Sequence, residues 1–598
     1  ISNFRQIICI ALLSACYLSP VQADVTIGGQ VFDLNGRPLT QAMVTVTRQA
    51  AKPGIAAVSV FTDDAGTFRF PQPFIDASVD ELVLSASSLG YEEVNKSSKV
   101  SRRWRNRAVN ATIIMERKAN QASTVPASAW IQSIPDEEKR AELIIRCVNC
   151  HQFPSPEVRN YARVVDDVAI GDPHDVREQS WATVTKYMAL LLAKKFGKGN
   201  DKFRPLVVAQ RLYSNTDISS NTKIISQHFT DRLEVYKGYQ YGAPLVVTKD
   251  TLIREYEVDQ PNTIREALWV GNPKKLWAAD VLSDNMIEID IKTGEQNIFT
   301  VPTDVHMGPH TLVRGGDDSI WIAPVFNGVV AHLDPNTKDW QTWTLRPKSG
   351  GYVTIHDLSY DYNHELMADK RGWIWFSDIV NNAVGYFDPK TGISDILKVP
   401  DVPGRNNKIG RPYGLLMTSD QKYVWYTQYG IGAFGAFNVE SMEFETSVVL
   451  PHDQSGPRRM TISDQDILYV ALYGSGQLVE YDTKSRQLIG TYDLPDIASA
   501  PYSTTWDNVR QVVWVATSNA DVIYRFDPKD KSFGIIPLPR EGAFLRMISV
   551  DYDTGALVTS YANISEAVKG PRMALIVDPG DDYQALKQQS QVTMNTEK

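Results

Sequence analysis

From about residue 250 onward the chain repeats itself. A short strand ending in an aspartate or asparagine turn recurs at Asp290, Asp334, Asp388, Asn438, Asp482, Asp527 and Asp578, at separations of 44 to 54 residues. A second strand recurs with it, as Leu276-Trp-Ala-Ala, Ile320-Trp-Ile-Ala, Ile374-Trp-Phe-Ser, Val424-Trp-Tyr-Thr, Leu468-Tyr-Val-Ala and Val513-Trp-Val-Ala. Many units close on Val-Pro or Leu-Pro, as at Pro302, Pro400, Pro451, Pro495 and Pro539. Units of this length, each of four short strands, are propeller blades, because one blade cannot bury its faces without neighbours. The seventh unit lacks its last strand. Leu252-Ile-Arg-Glu-Tyr-Glu-Val258, ahead of the first blade, has that strand's character. The expectation is a seven-bladed β-propeller over residues 250–580 in which the early strand completes the last blade and removes a sheet edge. Residues 581–598 are left as a C-terminal tail.

The front of the chain is also β. Period-two strands at Ile27-Gly-Gly-Gln-Val-Phe-Asp, Ala42-Met-Val-Thr-Val-Thr and Leu82-Val-Leu-Ser-Ala are separated by Asn35-Gly36 and Asp63-Asp-Ala-Gly66 turns. This predicts a small antiparallel β-sandwich over residues 24–116. The stretch Gly29-Gln-Val-Phe-Asp-Leu-Asn-Gly-Arg-Pro-Leu, with the later Thr62-Asp-Asp-Ala-Gly-Thr-Phe-Arg-Phe, resembles the carboxypeptidase regulatory-like domain, and that resemblance implies a docking or spacing module. Residues 117–134, rich in Ala, Ser and Gln, read as a linker.

A net charge of −9 gives no basic field for nucleic acid. The cluster Arg102, Arg103, Arg105 and Arg107 is short and reads as a solvated strand edge or loop. Arg5, an apolar run over residues 7 to 13 and Val21-Gln22-Ala23 read as a signal peptide over residues 1–23, which makes the protein exported and periplasmic. Leu13-Ser-Ala-Cys16 resembles a lipoprotein box, so anchoring through Cys16 is the alternative. No later apolar stretch is long enough to span a bilayer. Cleavage after Ala23 leaves two of the four cysteines, Cys147 and Cys150.

Those two stand in Cys147-Val-Asn-Cys150-His151, the attachment pattern for c-type haem. The thiols add to two vinyl groups of one porphyrin, and the histidine reaches the iron from the proximal side. Pro135-Asp136-Glu137-Glu138 places acids in a first helical turn ahead of Leu143, Ile144 and Ile145. A helix running into the motif resembles small cytochromes c, and residues 135–240 are assigned to such an α-helical domain. Met188, behind Trp181 in a helix-like stretch, is the distal ligand candidate. His174 and His228 are the alternatives, and residues 224 to 233 resemble the closing helix.

The blades resemble the streptogramin (virginiamycin B) lyase family. The carriers are Gly308-Pro309-His310-Thr-Leu, Ile320-Trp-Ile, Trp375-Phe-Ser-Asp378 and Asn382-Ala-Val-Gly-Tyr-Phe. That resemblance implies a Mg²⁺ site and a histidine acting on substrate. His310 matches one family histidine, His356 resembles the second, and Asp378 stands where an acid would be. Thr354 occupies the place of the other metal-binding Glu, a departure that argues against Mg²⁺. Residues opening inner strands should line the central mouth, so His306, His310, His356, Asp378, Tyr413, Arg458 and Tyr502 form an expected polar funnel. Three function classes follow: an electron-transferring haem protein or subunit of an oxidoreductase, with a redox partner protein and the propeller binding a small-molecule substrate; a carbon–oxygen lyase-like enzyme using His310, His356 and Asp378; and a non-catalytic haem-containing binding or sensor protein.

Overall fold

The structure is a computed structural model that describes residues 26–48, 54–71, 82–94, 98–100, 109–118, 125–155, 158, 178–179, 181–185, 215–228, 239–258, 263–361, 365–405, 409–445, 447–564 and 571–596. The signal and lipoprotein segments, the Arg102–Arg107 cluster, His174 and Met188 lie outside these residues.

Among the described residues seven antiparallel blade sheets follow one another along the chain. Their inner strands are Ile264–Val270, Pro309–Arg314, Ile355–Leu358, Pro412–Met417, Pro457–Ile462, Pro501–Asp507 and Leu545–Val550. Each inner strand packs against the next, and the last packs against the first, which closes the ring of a β-propeller. The seventh sheet takes its outer strand from Leu252–Glu257, which pairs antiparallel with Met573–Asp578 in the register Leu252 to Asp578. The recurring aspartates have a local reason. Asp290 Oδ1 accepts from the Lys292 and Thr293 amides at 2.8 and 3.0 Å, and Asp482 Oδ1 from Lys484 and Ser485 at 2.8 and 3.1 Å. Asp334, Asp388, Asn438, Asp527 and Asp578 do the same two or three residues ahead. These are Asx turns, and in the first six blades they set the hairpin into the outer strand. Trp277, Trp375, Trp425 and Trp514, on the second strands, are buried between blades.

The N-terminal sheets form a sandwich. One is Thr67–Arg69, Ile27–Asp33, Val109–Arg117 and Tyr91–Glu93; in the other Met43–Arg48 pairs with both Gly54–Phe61 and Leu82–Ser87. Val31, Phe68 and Met115 of the first share a core with Val44, Val58 and Leu84 of the second. The expectation of wholly antiparallel pairing needs correcting: Ile27–Asp33 runs parallel to Val109–Arg117, because the first and last strands of the unit lie side by side. The sandwich is also not a detached module. Gly54–Phe61 pairs with the free side of Leu252–Glu257, so the seventh blade continues into the sandwich as one eight-stranded sheet.

Between them lies helical chain. Glu137–Cys147 starts at Asp136, whose carboxylate accepts from the Lys139 amide at 3.1 Å, and Glu137 and Glu138 occupy its first turn. Leu143 and Ile144 pack with Val148, Phe153, Trp181, Ile224 and Ile225, the last two from the helix Asn215–His228. Residues 125–134, read from sequence as linker, hold the short helix Ser128–Gln132, docked through the Ser128 amide on Asn519 O at 2.9 Å and Gln132 Nε2 on Asp496 at 2.7 Å. Tyr583–Thr596, expected as a tail, is a helix tied down by the buried ring of Tyr583 and by the adjoining Arg510–Asp581 ion pair at 2.6 Å. No helix among the described residues is long and apolar enough to cross a membrane.

Candidate functional site

Every blade's inner strand carries a register shift against the second strand at its first residues. A bulge of this kind re-aims side chains. Here it brings the second residue of each inner strand to the propeller axis. Read around the ring, these are Arg265, His310, His356, Tyr413, Arg458, Tyr502 and Arg546, all buried. Five of them belong to the funnel expected from sequence. Arg265 and Arg546 were missed, although Ile264-Arg265 and Leu545-Arg546 occupy the same register as Pro457-Arg458; that register was the available signal.

The ring is closely coupled. The His310 and His356 ring centroids lie 4.9 Å apart, and the His356 and Tyr413 centroids 3.5 Å apart with the rings tilted by 35°. The Tyr413 and Tyr502 hydroxyls are hydrogen-bonded to each other, and Arg546 donates to both. Arg458 lies over the rings of Tyr473 and Tyr502 at 3.4 and 4.4 Å. The Thr311 hydroxyl donates to His356 O at 2.8 Å, so at 3.0 Å it accepts from His310 Nδ1–H. That puts the His310 lone pair on Nε2, facing Arg546 Nη2 at 3.4 Å. Burial first, then the neighbouring charges (each histidine is set among arginines), hold both imidazoles well below their ordinary pKa, so both are neutral. Burial would raise the Tyr413 phenol, but Arg458 and Arg546 outweigh it and bring it below its ordinary value.

One layer deeper the third residues of the strands meet. Arg459 pairs with Glu266 at 2.6 Å and with Asp357 at 3.4 Å, and donates to Thr311 at 2.5 Å. Burial pushes Asp357 up to about 7 against the pull of Arg459. Gly414 stands in this layer because a Cβ there would come within 2.4 Å of Arg458 O. The cavity left beside Arg459 is ≈ 10 Å³, about the room one water needs.

Two residues assigned to the funnel stand outside the ring. His306 is half-exposed on a loop and bonds Asp284 at 2.7 Å. Asp378 ends a second strand, and its carboxylate accepts from the Val380 and Asn381 amides and from Asn381 Nδ2, at 3.2, 3.0 and 2.7 Å. Its oxygens are engaged in a turn, and no cluster of three His, Cys, Asp or Glu side chains able to hold a metal exists among the described residues. The residues present do not fit the Mg²⁺ site of the lyase family.

The Cys147–His151 turn sits on this ring. Tyr473 donates to Val148 O, Arg458 Nη2 to Asn149 Oδ1 at 2.6 Å, and Arg546 Nη1 to Asn149 O at 3.3 Å. The Ile564 amide donates to Cys150 O at 2.9 Å, and Gln152 Nε2 reaches Asp521 and Ala543 O at 2.6 and 2.7 Å. Neither cysteine is in a disulfide and both are half-buried, and desolvation pushes the Cys147 thiol up to about 12. His151 is buried, with Nδ1 at 2.5 Å from Gln152 O. A carbonyl can only accept, so Nδ1 carries the proton and Nε2 the lone pair, the tautomer a metal ligand requires. Two thiols and an imidazole lone pair on one turn are the donor set of a c-type haem, and these residues fit it. His228 ends the helix Asn215–His228 and is half-buried.

The chain matches no protein-family model and no curated sequence. Its fold is similar to that of virginiamycin B lyase from Staphylococcus aureus, at 16% identity and a TM-score of 0.44, over 54% of this chain and 98% of that one. It is also similar to hydrazine synthase of Kuenenia stuttgartiensis, at 14% identity and a TM-score of 0.34, over 44% of this chain and 76% of that one. A third likeness is the extracellular domain of a one-component system from B. thetaiotaomicron, at 12% identity and a TM-score of 0.40, over 54% of this chain and 41% of that one.

Proposed function

We propose that the protein is an exported, periplasmic c-type haem protein that transfers electrons, acting in an oxidoreductase system with a partner protein. Cys147 and Cys150 would hold the haem as thioethers, and His151 Nε2 would be its proximal ligand. When bound, haem supplies a one-electron couple. The observation that carries this reading is the His151 Nδ1–Gln152 O contact at 2.5 Å, which places the proton on Nδ1 and the lone pair on Nε2, the tautomer of a metal-ligating imidazole. The rest of the turn supports it. Its backbone is held by Tyr473, Arg546 and Ile564 of the propeller, so the attachment residues are anchored against a rigid scaffold. Residues 135–240 would form the cytochrome part, with Met188 as distal ligand, and residues 24–116 the regulatory-like module.

The test is expression with the c-type maturation machinery, followed by the pyridine haemochrome spectrum and the intact mass. One covalent haem per chain and a reducible spectrum are expected. A chain without covalent haem overturns the reading.

One observation favours a second reading. His310 and His356 are neutral and face each other at 4.9 Å, so His356 could act as a base on a small substrate, as a lyase-like enzyme would need. Under that reading His356→Ala abolishes turnover and leaves haem reduction intact.

A further inference from the structure

The ring has more positive charge than its surroundings balance. Four arginines, Arg265, Arg458, Arg459 and Arg546, are buried around the axis. The two carboxylates among them, Glu266 and Asp357, both pair with Arg459. Arg458 and Arg546 are softened by aromatic faces, with Arg546 over Tyr502 at 4.5 Å and Arg458 over Tyr473 at 3.4 Å. Arg265 is 7% exposed and makes no ion pair among the described residues. Its Nε and Nη1, the Nε and Nη1 of Arg458 and the Nε of Arg546 are buried with no hydrogen-bond acceptor among the described residues. Buried guanidinium nitrogens with nothing to donate to are costly. Five such nitrogens from three strands converging on one axis are a site awaiting an acceptor.

We propose that Arg265, Arg458 and Arg546 form a binding site for one small anion, a carboxylate or an inorganic oxyanion, in the propeller ring beside the Cys147–His151 turn. Guanidinium forks recognise planar, multi-oxygen anions. The Tyr413 and Tyr502 hydroxyls both accept from Arg546, and because one of them donates to the other, a single hydroxyl hydrogen is left there as a further donor. The ring residues pack closely and the cavity beyond them has room for about one water, so the anion is small and sits at the level of the ring.

The anion has two sources. It is a diffusible small anion, or it is a propionate carboxylate of a haem attached next door; only the second source rests on the haem reading. The full chain is prepared with and without c-type maturation, and covalent haem is measured by haemochrome. Both forms are titrated calorimetrically with formate and with nitrite, for the wild type and for Arg265→Met and Arg265→Lys. Binding to both forms, lost in Arg265→Met and weakened in Arg265→Lys, supports the site with a diffusible occupant. Binding to the haem-free form alone, with a lower midpoint potential in haem-loaded Arg265→Met, supports it with a propionate occupant. Should Arg265→Met fail to fold by circular dichroism, Arg265→Lys and Arg546→Lys carry the comparison. No binding to either form, together with a potential unchanged by the substitutions, overturns the proposal. Failure to attach haem overturns the haem reading instead and leaves the titration of the haem-free form as the deciding measurement.

Discussion

Arg458 reaches from the propeller ring to Asn149, one of the two residues between the cysteines, with Nη2 2.6 Å from Oδ1. The same guanidinium lies 3.4 Å over the ring of Tyr473, whose hydroxyl bonds Val148 O. The turn that would carry the haem and the polar centre of the propeller are therefore one structure. Electron transfer and any ligand chemistry in the ring would occur side by side.

Replacing both Cys147 and Cys150 by Ser is expected to yield protein without covalent haem. The pyridine haemochrome band disappears, while circular dichroism keeps its β signature, because the blades are held by their own strand pairing and Ser is close to Cys in size.

Leu143→Ala removes a fully buried side chain from the cluster that joins the helix Glu137–Cys147 to the propeller. The expected loss is about 2–5 kcal/mol in the unfolding of that unit, measured by denaturant titration. Haem retention should fall with it, since the helix positions Cys147.

Arg459→Met leaves Glu266 and Asp357 facing each other without a cation. Breaking a buried pair in this way costs about 3–5 kcal/mol, and adding Glu266→Gln should recover part of it. A double-mutant cycle on thermal unfolding measures the recovery.

His310 and His356 are held neutral, with folded pKa values below the unfolded value. Below roughly pH 6.5 the unfolded chain binds more protons than the folded one at these positions, so their contribution to stability is lost as pH falls. Buried Asp357, raised to about 7, has the opposite sign and loses stability as pH rises toward that value. The histidine part is isolated by comparison with His310→Gln: the gap in melting temperature between wild type and variant should narrow from pH 7.5 to pH 5.5.

Strand Gly54–Phe61 covers Leu252–Glu257, the outer edge of the seventh blade. A chain shortened to begin at residue 125 exposes that edge, and bare edges recruit other strands. Size-exclusion chromatography with light scattering should show oligomers or aggregates absent from the longer protein.

Much of this architecture could be read in the residues, for a physical reason. Asp290, Asp334, Asp388, Asn438, Asp482, Asp527 and Asp578 each shape a turn with their own neighbouring amides, so the blade count is written in local chemistry. The Cys147–His151 motif is equally local, five consecutive residues. The closing strand Leu252–Glu257 was recognisable because the last repeat is one strand short. What no local pattern carries is which side chains meet on the axis. Arg265 and Arg546 are nearly three hundred residues apart in sequence, and only the bulge in each inner strand and the closure of the ring bring them together. The same holds for the contact of Asn149 with Arg458, and for the sandwich strand laid against the seventh blade. These relationships depend on the path of the whole chain in space, so the tertiary structure alone decided them.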